Sequence, residues 1–143
     1  IIDKVVKLKQ AVDLQTLSFG QRQASFYMDM FDLDKHVETI RKLYGERRTL
    51  MCDCMKKYFP EGVTFTYPEG GLFTWVTLPE GIDAKELMPK VLEQNVAYVP
   101  GGPFYPNGGH ANHFRLNYSN MPPERIEEGI KRLGEVLKRE LGK

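Results

Sequence analysis

The stretch "VTFTYPEGGLFTWVTLP", residues 63–79, decides how the rest of this chain has to be arranged. Its two arms, "VTFTYP" and "LFTWVTLP", are rich in the β-branched and aromatic residues that favour strands. Between the arms, Glu69, Gly70 and Gly71 can supply the positive φ angles that a tight turn requires. The sequence therefore predicts a β-hairpin at this point.

Upstream of the hairpin, the apolar residues recur at helical spacing. They favour a first helix from Ile2 through Leu17, and a second, shorter helix around "GQRQASFYMDM", residues 20–30. Asp34 is the expected N-cap of a long third helix, which the proline and glycine of "FPEG", residues 59–62, bring to an end. Gly45 is a weak point within that helix.

Downstream of the hairpin, one helix and two strands are predicted. Asp83, with Glu86 three residues later, resembles a capping box that opens a helix. Pro89 removes a backbone donor inside that helix, so we expect a kink or a later start. "VAYVPGG", residues 96–102, predicts a short strand that runs into a glycine turn, and "HFRLNYS", residues 113–119, predicts another strand.

A last helix completes the predicted fold. Ser119 or Asn120 is its expected cap, and Pro122 or Pro123 is expected in its first turn. The order of helices, hairpin, helix, two strands and helix is typical of an α/β (α+β) sandwich. We expect one domain over residues 1–143, with a mixed, mostly antiparallel sheet and helices packed on one face.

The charge and cysteine content exclude several classes of function. The chain has 20 basic and 19 acidic residues and a formal net charge of +1, so no overall field attracts it to nucleic acid or to a membrane surface. No apolar run approaches the length of a membrane span, and the first residues do not resemble a secretory signal. Cys52 and Cys54 are predicted to pack in the core and to form neither a disulfide nor a metal site. A cytoplasmic protein is the expectation.

One charged residue stands out inside a predicted strand. Alternation along residues 113–119 places two sets of side chains on opposite faces of the sheet. The apolar set is Phe114, Leu116 and Tyr118, and the polar set is His113, Arg115, Asn117 and Ser119. Arg115 must reach solvent, pair with an internal carboxylate or bind an anionic ligand, because an unpaired guanidinium near a core is unfavourable. Its planar donors match a ligand carboxylate.

The loop before that strand is rich in glycine and proline. Gly101 and Gly102 can let the backbone approach a ligand closely, and Pro103 can hold the turn; an ordinary surface loop is the alternative. His110 and His113 lie three residues apart but lack a third ligand, so no metal site is predicted. The loop does not match a phosphate-binding motif, and the chain contains no nucleophile elbow, paired-histidine zinc motif or dinucleotide-binding fingerprint.

Residues 69–141 closely resemble the C-terminal part of the class I/II, fold-type I aminotransferases that use pyridoxal phosphate. The resemblance rests on "GGLFTW", "VAYVPG", "FRLNYS" and "PPERIEEG", which begin at residues 70, 96, 114 and 122. It is strongest for the branch of 2-aminoadipate and other broad-specificity amino acid aminotransferases. More weakly, residues 1–31 resemble the helices that link the large and small domains of these enzymes.

The resemblance implies a role for each candidate residue. Arg115 is expected to hold the α-carboxylate of the substrate, and Gly101 and Gly102 to border the same pocket. The Schiff-base lysine and the groups that hold the cofactor match no position in this sequence. The resemblance therefore implies no catalytic, cofactor-binding or metal-binding residue here, and a chain that alone is inactive and does not bind pyridoxal phosphate specifically.

The resemblance also implies the partners of the full-length protein. These are an amino acid and a 2-oxo acid, pyridoxal phosphate, a large domain of the same polypeptide and a second copy in a homodimer. Two alternatives remain open from the residues alone. One is the aminotransferase-like effector domain of a winged-helix transcriptional regulator, and the other is a free-standing, non-catalytic binding domain. Exposed apolar residues on the opening helices would argue against the latter.

Overall fold

The computed structural model of the chain describes residues 1–142, which fall into two compact units, Ile1–Ile40 and the part from Arg41 onward. None of the helices in the described residues has an apolar run long enough to span a membrane. The predicted order of elements is confirmed. The helices are α1 (Ile2–Val12), α2 (Ser18–Met30), α3 (Leu33–Tyr58), α4 (Ala84–Leu92) and α5 (Pro123–Leu141), and the strands are β1 (Thr64–Phe65), β2 (Phe73–Thr77), β3 (Val99–Pro100) and β4 (His113–Asn117).

The first unit contains α1, α2 and the start of α3. No residue of α1 or α2 is buried, and large apolar side chains such as Ile2 and Leu8 are 78% and 67% exposed. The prediction that the first helix continues to Leu17 is wrong, because the backbone becomes extended at Asp13. There Thr16 Oγ1 donates to Asp13 Oδ2 at 3.0 Å, a local hydrogen bond that competes with a helical turn.

The long helix α3 begins two residues earlier than its predicted cap implies. Lys35 N donates to Asp32 Oδ1 at 2.9 Å, so Asp32 provides the cap and the predicted N-cap, Asp34, lies in the first turn. The helix continues through Gly45 and ends, as predicted, before Pro60. In the second unit, its C-terminal half contributes Met51, Cys52, Cys54 and Met55 to the core.

The four strands form one sheet in the order β1-β2-β4-β3, with every neighbouring pair antiparallel. The expected antiparallel character is confirmed, whereas no parallel pair, which a mixed sheet would need, occurs in residues 1–142. The hairpin pairs Thr64 with Thr77 and Phe65 with Val76, but its connection spans residues 66–72 and is not a tight turn. Gly71 has the predicted positive φ, at 85°.

The core lies between one face of this sheet and the helices. Phe114, Leu116 and Tyr118 are buried on that face, as the alternation in the sequence predicts. They meet apolar side chains of α3, α4 and α5 in a single cluster. Tyr98 stacks on Phe114 with ring centroids 4.2 Å apart, and its hydroxyl donates to Ala84 O at 2.6 Å. Within the second unit, the helices therefore cover one side of the sheet.

The ends of the last two helices test the capping predictions. Asp83 caps α4 as predicted, since Oδ1 accepts from Lys85 N at 2.6 Å and from Glu86 N at 3.3 Å. Pro89 lies inside this helix and does not delay its start.

The predicted cap of α5 is wrong. Pro122 precedes its first residue, Pro123, and no side chain caps it. Ser119 instead donates from its backbone N and its hydroxyl to Asn117 Oδ1, at 2.8 and 2.9 Å, so it closes a turn at the end of β4.

Candidate functional site

The side of the sheet opposite the helices forms an open face. β2 presents Phe73, Trp75 and Thr77 there, and β4 presents His113 and Arg115, all half-buried. The antiparallel register pairs Trp75 with Arg115 and Thr77 with His113. The core packs against the other side of both central strands and holds in place the backbone that carries these side chains. The face is therefore suited to holding a ligand in a defined position.

Arg115 occupies the middle of the open face without an anionic partner. Within residues 1–142, no carboxylate lies in ion-pair range of its guanidinium, and Nε is buried with no hydrogen-bond partner. Its carbon Cζ lies 3.8 Å from the ring centre of Phe73 and 4.8 Å from that of Phe104. A structural salt bridge therefore does not explain this arginine, and its charge is available to an anion.

The glycine-proline loop packs closely against β4. Gly101 N donates to His113 O at 2.6 Å, and a Cβ at Gly101 would lie 2.7 Å from His113 Cβ. Gly101 therefore permits a close approach of the loop to β4. An added Cβ at Gly102 would meet no atom within 4 Å. From there a short 3₁₀ turn, Gly102–Phe104, carries the ring of Phe104 toward Arg115.

Aromatic rings surround this part of the face. Trp75, the only tryptophan of the chain, lies edge-on to Phe104 at 5.6 Å between centroids, and Tyr105 stacks on His110 at 4.1 Å. His113 Nδ1 lies 3.0 Å from Thr77 Oγ1. Burial, reinforced by the neighbouring His110, lowers the pKa of His113 below its ordinary value. His113 is therefore part of a packed aromatic cluster.

No prediction from the sequence assigns a role to Phe73, Trp75 or Phe104. In the sequence, Phe73 and Trp75 indicate only a strand, and Phe104 lies in the glycine-proline loop without a pattern of its own. Period-two alternation along residues 73–77 places Phe73 and Trp75 on one side of their strand, but their approach to Arg115 follows only from the pairing of β2 with β4. No local pattern could have placed Phe104 there, because its position depends on how the loop folds back on β4.

The open face offers little that could hold a metal or a cofactor. The described residues contain no group of three or more His, Cys, Asp and Glu side chains placed to bind a metal ion. The face residues of β2 and β4 include no lysine, so they supply no amine for a Schiff base. Their one cation, Arg115, lies against aromatic rings and not within a cradle of backbone N–H groups. These residues do not fit pyridoxal phosphate.

Comparison with known proteins assigns the fold. The family profile described as aminotransferase class I and II matches residues 1–133. The aromatic-amino-acid aminotransferase 1 of Thermococcus litoralis is 45% identical over 99% of this chain and 34% of its own length. The crystal structure of a multiple substrate aminotransferase from Thermococcus profundus superposes with a TM-score of 0.88 at 44% identity, over 99% of this chain and 35% of that one.

A second crystal structure is that of the α-aminoadipate aminotransferase of Thermus thermophilus, complexed with N-(5′-phosphopyridoxyl)-L-leucine. It has a TM-score of 0.87 at 38% identity, over 99% of this chain and 36% of that chain. Helix-turn-helix transcriptional regulators are more distant relatives, such as the uncharacterized YdcR of Escherichia coli at 28% identity. This chain belongs to the class I and II aminotransferases, a pyridoxal-phosphate-dependent family. It spans about a third of the length of the relatives it matches.

Proposed function

We propose that this chain is the C-terminal part of an aminotransferase that moves an amino group between an amino acid and a 2-oxo acid. In this proposal Arg115 binds the substrate carboxylate, and Gly101 and Gly102 border the same pocket. The observation that carries the proposal is a half-buried guanidinium on an open sheet face, with no anionic partner among residues 1–142. A planar guanidinium can hold a carboxylate by two parallel hydrogen bonds.

In transamination, one arginine can bind the carboxylate of the reactant in both half-reactions. The amino acid and the 2-oxo acid both carry a carboxylate next to the carbon that gains or loses nitrogen. A fixed cation at that carboxylate therefore orients either reactant in the same way. The relatives are named for aromatic amino acids, for α-aminoadipate and for multiple substrates. The amino acids in these names differ in their side chains but have the α-amino and α-carboxylate groups in common, which supports a common role for Arg115.

We further propose that pyridoxal phosphate is held by residues outside this chain, in a large domain of the complete homodimeric enzyme. When bound, the cofactor supplies the electron sink that a carbanion at the substrate carbon requires. Residues 1–143 would form the small domain, with residues 1–31 as the helices that connect it to the large domain. Two observations support this assignment: the exposed apolar side chains of α1 and α2, and the short share of each relative that is matched.

The effector domain of a transcriptional regulator is the weaker alternative, because the regulators are 28% identical where the enzyme relatives reach 45%. A free-standing binding domain is disfavoured by the exposed apolar side chains of α1 and α2.

The test replaces Arg115 in the complete enzyme. Because Arg115→Met removes a bidentate, charge-assisted contact, KM for both the amino acid and the oxo acid should rise by about 100-fold or more. Arg115→Lys should recover only part of this loss, since an ammonium lacks the planar pair of donors. Arg125→Met is the matched control, because Arg125 is an exposed arginine in the first turn of α5. Unchanged KM values in Arg115→Met would contradict the proposal.

A separate test concerns the chain by itself. We expect residues 1–143 to show no aminotransferase activity and to form no stoichiometric adduct with pyridoxal phosphate. The measurement is mass spectrometry after borohydride reduction, with free lysine-rich peptide as the control for nonspecific labelling. One pyridoxyl group attached to a single lysine in every molecule would refute this part of the proposal.

A further inference from the structure

The guanidinium of Arg115 contacts aromatic rings, whereas two other half-buried arginines of the second unit, Arg47 and Arg48, donate to backbone oxygens. Arg47 donates from Nη1 to Ser119 O, and Arg48 donates from Nη1 to Pro68 O at 3.1 Å. Arg115 makes no such bond within residues 1–142, and its closest contacts are the rings of Phe73 and Phe104. The fold therefore positions this arginine without occupying its donors.

Contact with aromatic rings can hold a guanidinium in place and still leave its N–H donors free for a ligand. A ring attracts a guanidinium through its face and restricts where the long side chain can point. The N–H donors lie in the plane of the guanidinium, so a ring stacked on that plane does not compete for them. A carboxylate can then approach the edge and accept two hydrogen bonds, whereas a carbonyl or carboxylate from the protein would have to be displaced first.

The two rings reach Arg115 from different parts of the fold. Phe73 belongs to β2, next to the strand that carries Arg115, and its ring centre is 3.8 Å from Cζ. Phe104 comes from the 3₁₀ turn, in which Phe104 N donates to Gly101 O at 2.9 Å. Phe104 is 47% exposed, so its contact with Arg115 is made at the surface of the second unit. Trp75, edge-on at 5.6 Å, supports it.

We propose that Phe73 and Phe104 are positioning residues, which hold the guanidinium of Arg115 with its edge free for the substrate carboxylate. This inference rests on the proposed role of Arg115 and adds a purpose for the "VPGG" turn, residues 99–102. Gly101 lets the chain leave β3 in contact with His113, and the 3₁₀ turn that follows places Phe104 against Arg115. In this proposal the turn affects substrate binding because it places Phe104 against Arg115.

The experiment compares Phe104→Leu and Phe104→Tyr in the complete aminotransferase. Leucine keeps an apolar side chain but removes the ring face, so KM for the amino acid should rise about 3- to 30-fold, while kcat stays within about twofold. Tyrosine keeps the ring face and should restore the wild-type KM. Phe73→Leu and Phe73→Tyr should repeat the pattern, and Phe65→Leu is the control, because Phe65 is a half-buried residue of β1 whose ring lies edge-on to Phe59, at 6.3 Å between centroids.

A second readout needs no turnover. The inhibition constant of 3-phenylpropanoate, an unreactive carboxylate, should rise in Phe104→Leu by the same factor as KM, and that of 3-phenylpropanamide should not change. A merely structural role for Phe104 would lower the melting temperature and affect both inhibitors equally, and that result would overturn the inference. Equal KM values in Phe104→Leu and wild type would also overturn it.

Arg115→Met separates this inference from the proposed function. If Arg115→Met raises KM and Phe104→Leu does not, the positioning role fails and the carboxylate site stands. If Arg115→Met leaves KM unchanged, the carboxylate site itself fails, and the positioning role fails with it.

Discussion

The backbone nitrogen of Gly101 donates a 2.6 Å hydrogen bond to the carbonyl oxygen of His113, across a gap too narrow for a Cβ atom. This contact joins the end of β3 to the start of β4. The 3₁₀ turn that carries Phe104 to Arg115 begins at the next residue, Gly102. The contact of Gly101 with His113 and the contact of Phe104 with Arg115 are thus made by the same short segment of the loop.

Replacing Gly101 tests that relationship. In Gly101→Ala, the new Cβ would lie 2.7 Å from His113 Cβ and 2.8 Å from His113 O, so strand and loop must separate. We expect a loss of about 1–3 kcal/mol in the free energy of unfolding, measured by chemical denaturation. Gly102→Ala is the matched control, since nothing lies within 4 Å of its added Cβ, and it should change stability by less than about 0.5 kcal/mol. Equal effects of the two substitutions would show that the close contact does not matter.

A second close approach joins α5 to the end of α3. A Cβ at Gly134 would lie 2.6 Å from Tyr58 O, whereas one at Gly129, in the same helix, would meet nothing within 4 Å. Gly134→Ala should therefore destabilise the chain by about 1–3 kcal/mol. Gly129→Ala should stabilise it by about 0.5–1 kcal/mol, because alanine favours a helix over glycine. Thermal unfolding of both variants measures the difference, and stabilisation by Gly134→Ala would contradict the packing described here.

The cap of α4 gives a third prediction. Asp83 accepts hydrogen bonds from two backbone nitrogens that lack helical partners, those of Lys85 and Glu86. Asp83→Ala should cost about 1 kcal/mol of folding stability by denaturant titration. Asp53→Ala, at an exposed position inside α3, is the control and should have little effect because its contact with Lys56 is solvent-exposed. An equal loss in both variants would argue against the cap.

The fourth prediction concerns pH and His113. Burial lowers its pKa in the folded chain below the ordinary value of 6.5, so the unfolded chain binds more protons over the interval between the two values. The contribution of His113 to the free energy of unfolding is therefore fully present above pH 6.5. It is lost as the pH falls through the folded-state pKa. The groups that face the imidazole are Thr77, Trp75, Tyr105 and His110, none of them a carboxylate that could compensate.

The measurement is the free energy of unfolding at about pH 7.5 and about pH 5, for wild type and for His113→Gln. The wild type should lose more stability between the two conditions than the variant, because glutamine does not titrate. His36→Gln, at an exposed position of α3, is the control and should keep the wild-type difference. Identical pH dependence in wild type and His113→Gln would rule out a contribution from His113.

The fold could be predicted where local patterns decide it. Strict alternation along β4 predicted that Phe114 and Leu116 face the core. The spacing of Asp83 and Glu86 predicted the start of α4. The start of α3 could not be decided in the same way, because Asp32 and Asp34 are both good caps. In the structure Asp32 accepts from Lys35 N, and Asp34 lies inside the first turn.

The candidate site was predictable only in part. Arg115 was recognisable as a charge within a strand, since burying a guanidinium demands a reason. The contacts of Phe73 and Phe104 with it were not, because they arise from strand pairing and from the path of a loop over residues 101–112. Gly101 was expected to make room for a ligand, and the atoms closest to it are those of His113.

Both edges of the sheet are formed by strands of only two residues, β1 and β3. One of them ends in Pro100, which has no backbone N–H to offer. An unpaired edge is the usual template on which a second chain adds a strand and begins an aggregate. In this chain that template is too short to support a ladder, so self-association by edge-to-edge pairing is disfavoured even when the protein is concentrated.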